Sequence, residues 1–151
     1  MEDRMYKLVS SSSCVRSFSI LLGLAEGYGS EGKIHDEFKV VEVALAWMKD
    51  RAADGKPYLT GMVSKGTVVY AWPDGPGKVG GGFESSVEFR GEVSPLYNAN
   101  LSNGEVIVLL FELARILGAA LGQNRIYIVY CDKMWILQQE SSETPTGEKV
   151  E

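Results

Sequence analysis

Apolar positions along the chain follow two rhythms, one of strands and one of helices. The nearly continuous apolar run at residues 18–24 predicts a strand buried in mid-sheet. Asp36 is placed to cap a helix running to about Ala53, in which Phe38, Val41, Leu45 and Met48 recur at helical spacing and are expected to face a sheet, with Trp47 beside them. Asp54-Gly55 stops that helix. Residues 58–63 and 67–72 read as two strands joined by a hairpin turn at Lys65-Gly66. The Pro- and Gly-rich stretch 73–82 predicts a loop, either a plain solvent loop or a flap over a site. A long strand follows at 83–93, with Phe83, Ser85, Val87 and Phe89 on its core face and Glu84, Ser86, Glu88 and Arg90 on the other. After the polar loop 94–100, Ser102 or Asn103 caps a second helix with Glu105 in its first turn. Its broad stripe includes Val106, Leu109, Leu110, Leu113, Ile116, Leu117, Ala120 and Leu121, and Gly122 ends it. Residues 125–131 and 134–137 flank Asp132-Lys133 as a second hairpin. The order is strand, helix, three strands, helix, two strands. The predicted fold is α+β, an antiparallel sheet of about six strands with two helices packed on one face.

Length and composition narrow the picture. With 151 residues, the chain is expected to form one ligand-binding domain over 1–139, followed by a disordered acidic tail over 140–151. The first four residues are charged and expected to be loose, and residues 6–9 read as a short strand or a leader. The net charge of −5 disfavours long nucleic acid as a partner, although a few local arginines suffice for a small anion. Cys14 and Cys131 lack CxxC spacing and are expected to be core thiols in a reducing compartment rather than a disulfide. No apolar run has membrane-spanning length, and the serines and basic residues in 5–24 make a poor secretory segment, so a cytoplasmic protein is expected.

The usual catalytic groups are missing as constellations. His35 is the only histidine and reads as a surface residue, since its neighbours Asp36 and Glu37 would not face it on a helix. Neither cysteine has a visible base, no GxSxG elbow exists, and Glu84 with Glu88 fits an exposed strand face. The glycines at 27, 29 and 32 form a loop, without the helix that a dinucleotide fingerprint requires. The chain therefore reads as a binder with no cofactor rather than an enzyme. Tyr97, Asn98 and Asn100 lie where a strand hands over to a helix, and the asparagines either satisfy the turn backbone or read a base or ribose edge. Arg115 falls on the flank of the second helix, within reach of Glu112 or Phe111.

On the element order and on residues 89–115, the chain resembles the phage type I anti-Thoeris proteins, which sequester cyclic nucleotide immune signals. The spacing from Asn98 to Arg115 carries the likeness. The resemblance implies a pocket for cyclic ADP-ribose isomers built from an aromatic, an asparagine and an arginine, and places Arg90 at a second site for cyclic oligonucleotides. Phe89 takes the aromatic's place one position out of register, and strand alternation turns it to the core, which leaves Tyr97 as the alternative stacking ring. The implied ligand set is Phe89, Arg90, Tyr97, Asn98, Asn100 and Arg115. The implied protein is a homo-oligomeric sponge, without catalysis, in the cytoplasm of an infected bacterium. The competing readings are a small interaction or regulatory domain with no nucleotide ligand, and an enzyme acting on a nucleotide.

Overall fold

The computed structural model describes residues 4–26 and 32–140. Residues 1–3 of the expected loose N-terminus, residues 27–31 of the expected 26–32 glycine loop, and all but the first residue of the expected acidic tail lie outside the described residues. Seven elements follow one another: β1 (Ser17–Gly23), α1 (Glu37–Ala53), β2 (Met62–Pro73), β3 (Val79–Glu92), α2 (Asn103–Leu121), β4 (Arg125–Tyr130) and β5 (Lys133–Gln138). The strands form one antiparallel sheet in the order β2-β3-β1-β4-β5. Both helices lie on one face of it, α1 against β2 and β3, α2 against β1 and β4. The α+β class is as the pattern predicts, with five strands rather than about six.

The missing strand has a simple cause. Lys65-Gly66 does not turn; β2 runs straight through it, with Lys65 opposite Val87 and Gly66 opposite Ser86. The turn comes at residues 74–78, where Asp74 N–H donates to the Lys78 carbonyl at 2.9 Å and Gly75 and Gly77 take the left-handed conformation. Half of the expected 73–82 loop, Pro73 and residues 79–82, is therefore strand. Its glycines serve the strand opposite: a Cβ on Gly80 would come within 2.5 Å of the Trp72 ring. Tyr70 and Trp72 thus lie stacked at 5.8 Å over glycines on the neighbouring strand.

Local signals set α2. Ser102 and Glu105 form a reciprocal capping box, with Glu105 N–H donating to Ser102 Oγ at 3.1 Å and Ser102 N–H donating to Glu105 Oε1 at 2.8 Å. Those bonds hold the Glu105 carboxyl below its usual pKa, the backbone bond from Ser102 being the larger cause. Gly122 closes the helix in the left-handed conformation. Val106, Leu109, Leu110, Leu113, Leu117 and Leu121 are buried against Phe18, Ile20, Leu22, Ile126 and Ile128. Each large aliphatic side chain so buried contributes roughly 1.5–3 kcal/mol before entropy is subtracted.

On α1 the predicted stripe is rotated. Val40, Ala44 and Trp47 face the core, whereas Phe38 and Leu45 are 59% and 48% exposed. The helix carries apolar residues on two sides, so spacing alone does not choose the inner one. Glu112 of α2 settles it, accepting from Trp47 Nε1 and from Arg51 Nη1, each at 2.9 Å. Cys14 and Cys131 are both exposed and unpaired with each other, not core thiols, because Cys14 precedes the sheet and Cys131 sits at the β4–β5 turn. Residues 6–9 form no strand.

Candidate functional site

The sheet has a notch where its central strand stops early. β1 ends at Gly23, opposite Ser86, while β2 and β3 continue as a two-stranded ribbon beyond it. On the other side of β1, β4 begins only at Arg125. The gap is a cavity of about 790 Å³, within the size range of small-molecule sites. Thr67, Val68, Tyr70, Phe83, Glu84 and Ser85 form the ribbon wall, and Gln123, Asn124, Arg125 and Tyr127 form the opposite one. Gly23, Ala25, Gly32 and Ile34 complete it.

Each wall is fixed by its own bonds. Leu24 N–H donates to the Ser85 carbonyl at 3.0 Å, tying the chain after β1 to the root of the ribbon. Gln123 Nε2 donates to the Ala25 and Leu121 carbonyls at 2.8 and 3.0 Å, which turns its Oε1 into the notch. A Cβ on Gly23 would sit 2.6 Å from Gln123 Oε1 and 3.4 Å from Glu84 Oε1. The bare glycine thus lets a carboxamide oxygen and a carboxylate converge on one floor position. No hydrogen bond or ion pair engages the Glu84 carboxylate among the described residues. Arg125 Nε donates to Gln138 Oε1 at 3.0 Å, which orients its guanidinium. The site offers aromatic faces, one carboxylate, one guanidinium and carbonyl oxygens. It suits a ligand with a planar ring, hydroxyl donors and both signs of charge.

Beside the cavity, His35 Nε2 lies 2.6 Å from Glu26 Oε2, and the imidazole side chain is only 8% exposed. The expected surface histidine is thus a buried partner, because Glu26 and His35 face each other across the short bridge between Ala25 and Ile34. Among the described residues no cluster of His, Cys, Asp and Glu is placed to hold a metal ion, and no helix is long and apolar enough to cross a membrane.

The residue set implied by the sponge resemblance is dispersed. Phe89 is 1% exposed, stacked on Phe18 at 6.1 Å in the core, and has no face free for a base. Arg90 and Tyr97 do meet, lining a smaller cleft of about 450 Å³ with Met62 and Glu92. Asn98 Nδ2 donates at 3.0 Å to the Tyr58 carbonyl, a distant backbone group rather than one of its own turn, whose Leu96 and Tyr97 N–H groups donate to Ser94 Oγ, and Asn100 is exposed in the same loop. Arg115 lies over the Phe111 ring at 5.6 Å, and Phe111 meets Trp135 of β5 at the opposite edge of the sheet. Glu112 is engaged by Arg51 rather than by Arg115.

Of the cavity's residues, Glu84 and Phe83 appear in the sequence reading only as members of a strand pattern. Gln123 and Tyr127 carry no local signal at all, because the register that brings them opposite the ribbon is set by β1.

No protein-family model and no curated protein matches this sequence. Solved structures with the same fold do exist. A phage SAM lyase in complex with S-methyl-5'-thioadenosine aligns with a TM-score of 0.60 at 16% identity, covering 93% of this chain and 100% of the other. A phage SAM lyase in the apo state aligns with a TM-score of 0.56 at 14% identity over the same shares. The expectation that this chain is no enzyme is corrected here: its architecture, over nearly its whole length, is one that carries a lyase.

Proposed function

We propose that this protein is an enzyme of S-adenosyl sulfonium compounds, binding S-adenosylmethionine in the cavity at the end of β1 and releasing S-methyl-5'-thioadenosine. The observation that carries this reading is the full-length likeness in fold to a phage SAM lyase holding that thioadenosine. The cavity's chemistry supports it. Tyr70, Phe83 and Tyr127 offer ring faces to adenine, Glu84 offers an acceptor to ribose hydroxyls or a negative charge to the sulfonium, and Arg125 offers a fork to the amino-acid carboxylate.

The proposed step asks for neither a protein nucleophile nor a base. A sulfonium is already a good leaving group and needs no proton. If an oxygen of the substrate's own carboxylate attacks the carbon that bears sulfur, the C–S bond breaks and sulfur keeps the electron pair. Sulfur becomes a neutral thioether, and the four-carbon arm leaves as a lactone. Atoms and charge balance without water, metal or cofactor. The protein's part is to fold the arm into that attack geometry and to keep water out.

The test is incubation of purified protein with S-adenosylmethionine, followed by mass spectrometry of both products. Loss of substrate with equimolar S-methyl-5'-thioadenosine is expected, with at least a tenfold slower rate in Glu84→Gln while the circular dichroism spectrum is unchanged. Unchanged S-adenosylmethionine, together with no calorimetric binding of S-methyl-5'-thioadenosine, overturns the reading.

A further inference from the structure

Two surfaces lack a partner among the described residues of a single copy. The first is the N-terminal arm. The chain is first held to the body at Arg16, whose carbonyl accepts from Val93 N–H at 2.9 Å. Before it, Met5, Tyr6 and Leu8 are 92%, 91% and 83% exposed. Large apolar side chains presented in a row at such exposure mark an interaction segment. The second is the β2 edge. β2 is an outer strand of twelve residues, and its outward backbone groups have no strand beside them. Next to that edge, Val69, Val79 and Phe83 are 78%, 79% and 75% exposed, on the sheet face that carries the helices but beyond their reach.

We infer that residues 5–9 of one copy add as an extra strand along the β2 edge of a second copy, with Tyr6 and Leu8 on the sheet face that carries Val69 and Val79. The arm alternates as a strand requires, with Tyr6 and Leu8 on one side and Met5, Lys7 and Val9 on the other. Edge pairing satisfies the backbone groups of both segments, and the alternate side chains find the apolar strip. Charge favours encounter between copies, since residues 4–16 carry Arg4, Lys7 and Arg16 and no carboxylate in a chain of net charge −5, while the choice of the β2 edge, which carries Lys65 and no carboxylate, rests on backbone pairing and the apolar strip.

Reach selects a second copy over the arm's own body. Ser17 pairs with Glu92, and Phe83 lies nine residues further along β3, about 30 Å away at strand rise. Eight residues from Arg16 to Leu8 span at most about 29 Å when fully extended. The arm is not fully extended, because Ser12 Oγ bonds the Cys14 carbonyl and amide at 2.8 and 3.3 Å and bends it there. This inference is independent of the S-adenosyl reading.

The test places p-benzoylphenylalanine at position 6 of the full-length chain, mixes 15N-labelled with unlabelled protein, irradiates and maps the cross-links. Cross-links of mixed isotope composition between the arm and the peptide spanning 69–79 are expected. Light scattering of the unmodified protein is expected to give a multiple of 16.5 kDa, falling to the single-chain mass in Tyr6→Asp/Leu8→Asp and in Val69→Glu/Val79→Glu, with circular dichroism unchanged. Cross-links confined to one isotope, cross-links to any other surface, or a single-chain mass for the unmodified protein each overturn the inference.

Discussion

Val87 and Phe89 are 0% and 1% exposed, whereas Val79 and Phe83, on the same face of the same strand, are 79% and 75% exposed. The strand does not change between them; its neighbours do. From Ser86 onward β3 lies beside β1 and beneath α1. Before Ser85, β2 is the one strand beside it among the described residues. The half that is covered builds the core. The half that projects builds a cavity wall and, by the inference above, an interface. Alternation assigns a residue to a face, and cover decides what that face is for.

The comparison can be broken most sharply at Phe89. Phe89→Ala removes a buried ring from the stack with Phe18 and is expected to cost about 3–5 kcal/mol, read as a lower urea midpoint with an unchanged slope. Phe83→Ala, six residues away, is expected to leave that midpoint within about 0.5 kcal/mol while weakening S-methyl-5'-thioadenosine binding at least fivefold by calorimetry. If Phe83→Ala destabilises as much as Phe89→Ala, the two halves are not different in kind. A smaller effect belongs to the covered end: Ser102→Ala removes the α2 cap and is expected to cost about 1 kcal/mol without altering ligand affinity.

The smallest is a pH effect at the far end of β1. Tyr130 donates to Asn103 Oδ1 at 2.5 Å and accepts from Arg16 Nη1 at 3.3 Å. Burial pushes its phenol above the ordinary pKa, with Arg16 opposing the shift. A folded pKa above the unfolded one means that the unfolded chain ionises first. The associated stability is therefore complete below about pH 10 and is lost as pH rises through the folded value. Tyr130→Phe is expected to flatten that alkaline decline in melting temperature, and an equally steep decline in the variant would assign it to other groups.

How much could be read without the structure follows from how local each determinant is. The capping box of Ser102 and Glu105 and the closing Gly122 lie within one helix, so α2 is legible nearly to its ends. The β4–β5 hairpin also declares itself locally, but its turn residues are Cys131 and Asp132, one position before the expected Asp132-Lys133, since Lys133 pairs with Tyr130. Lys65-Gly66 looks like a turn but is overridden by twelve residues of pairing with β3, a non-local term. On α1, Phe38 and Leu45 compete with Val40 and Ala44 for the core, and only the bonds from Trp47 and Arg51 to Glu112 break the tie. The site was hardest to see. Arg90 and Tyr97 do share a cleft, but the larger cavity depends on where β1 stops relative to β3 and β4, and no motif encodes that.

The short central strand has a consequence for sequence drift. Because the cavity is a gap in the ladder, its position is set by strand lengths and by backbone bonds such as Leu24 N–H to Ser85 carbonyl. Side chains around it can be exchanged while the gap stays where it is. A lineage in which β1 keeps ending level with the start of β4 while β3 runs on past it, as at Gly23 and Ser86 here, keeps a place for a ligand even when few identical residues remain. A lineage that extends β1 along the free part of β3, from Ser85 towards Val79, fills it.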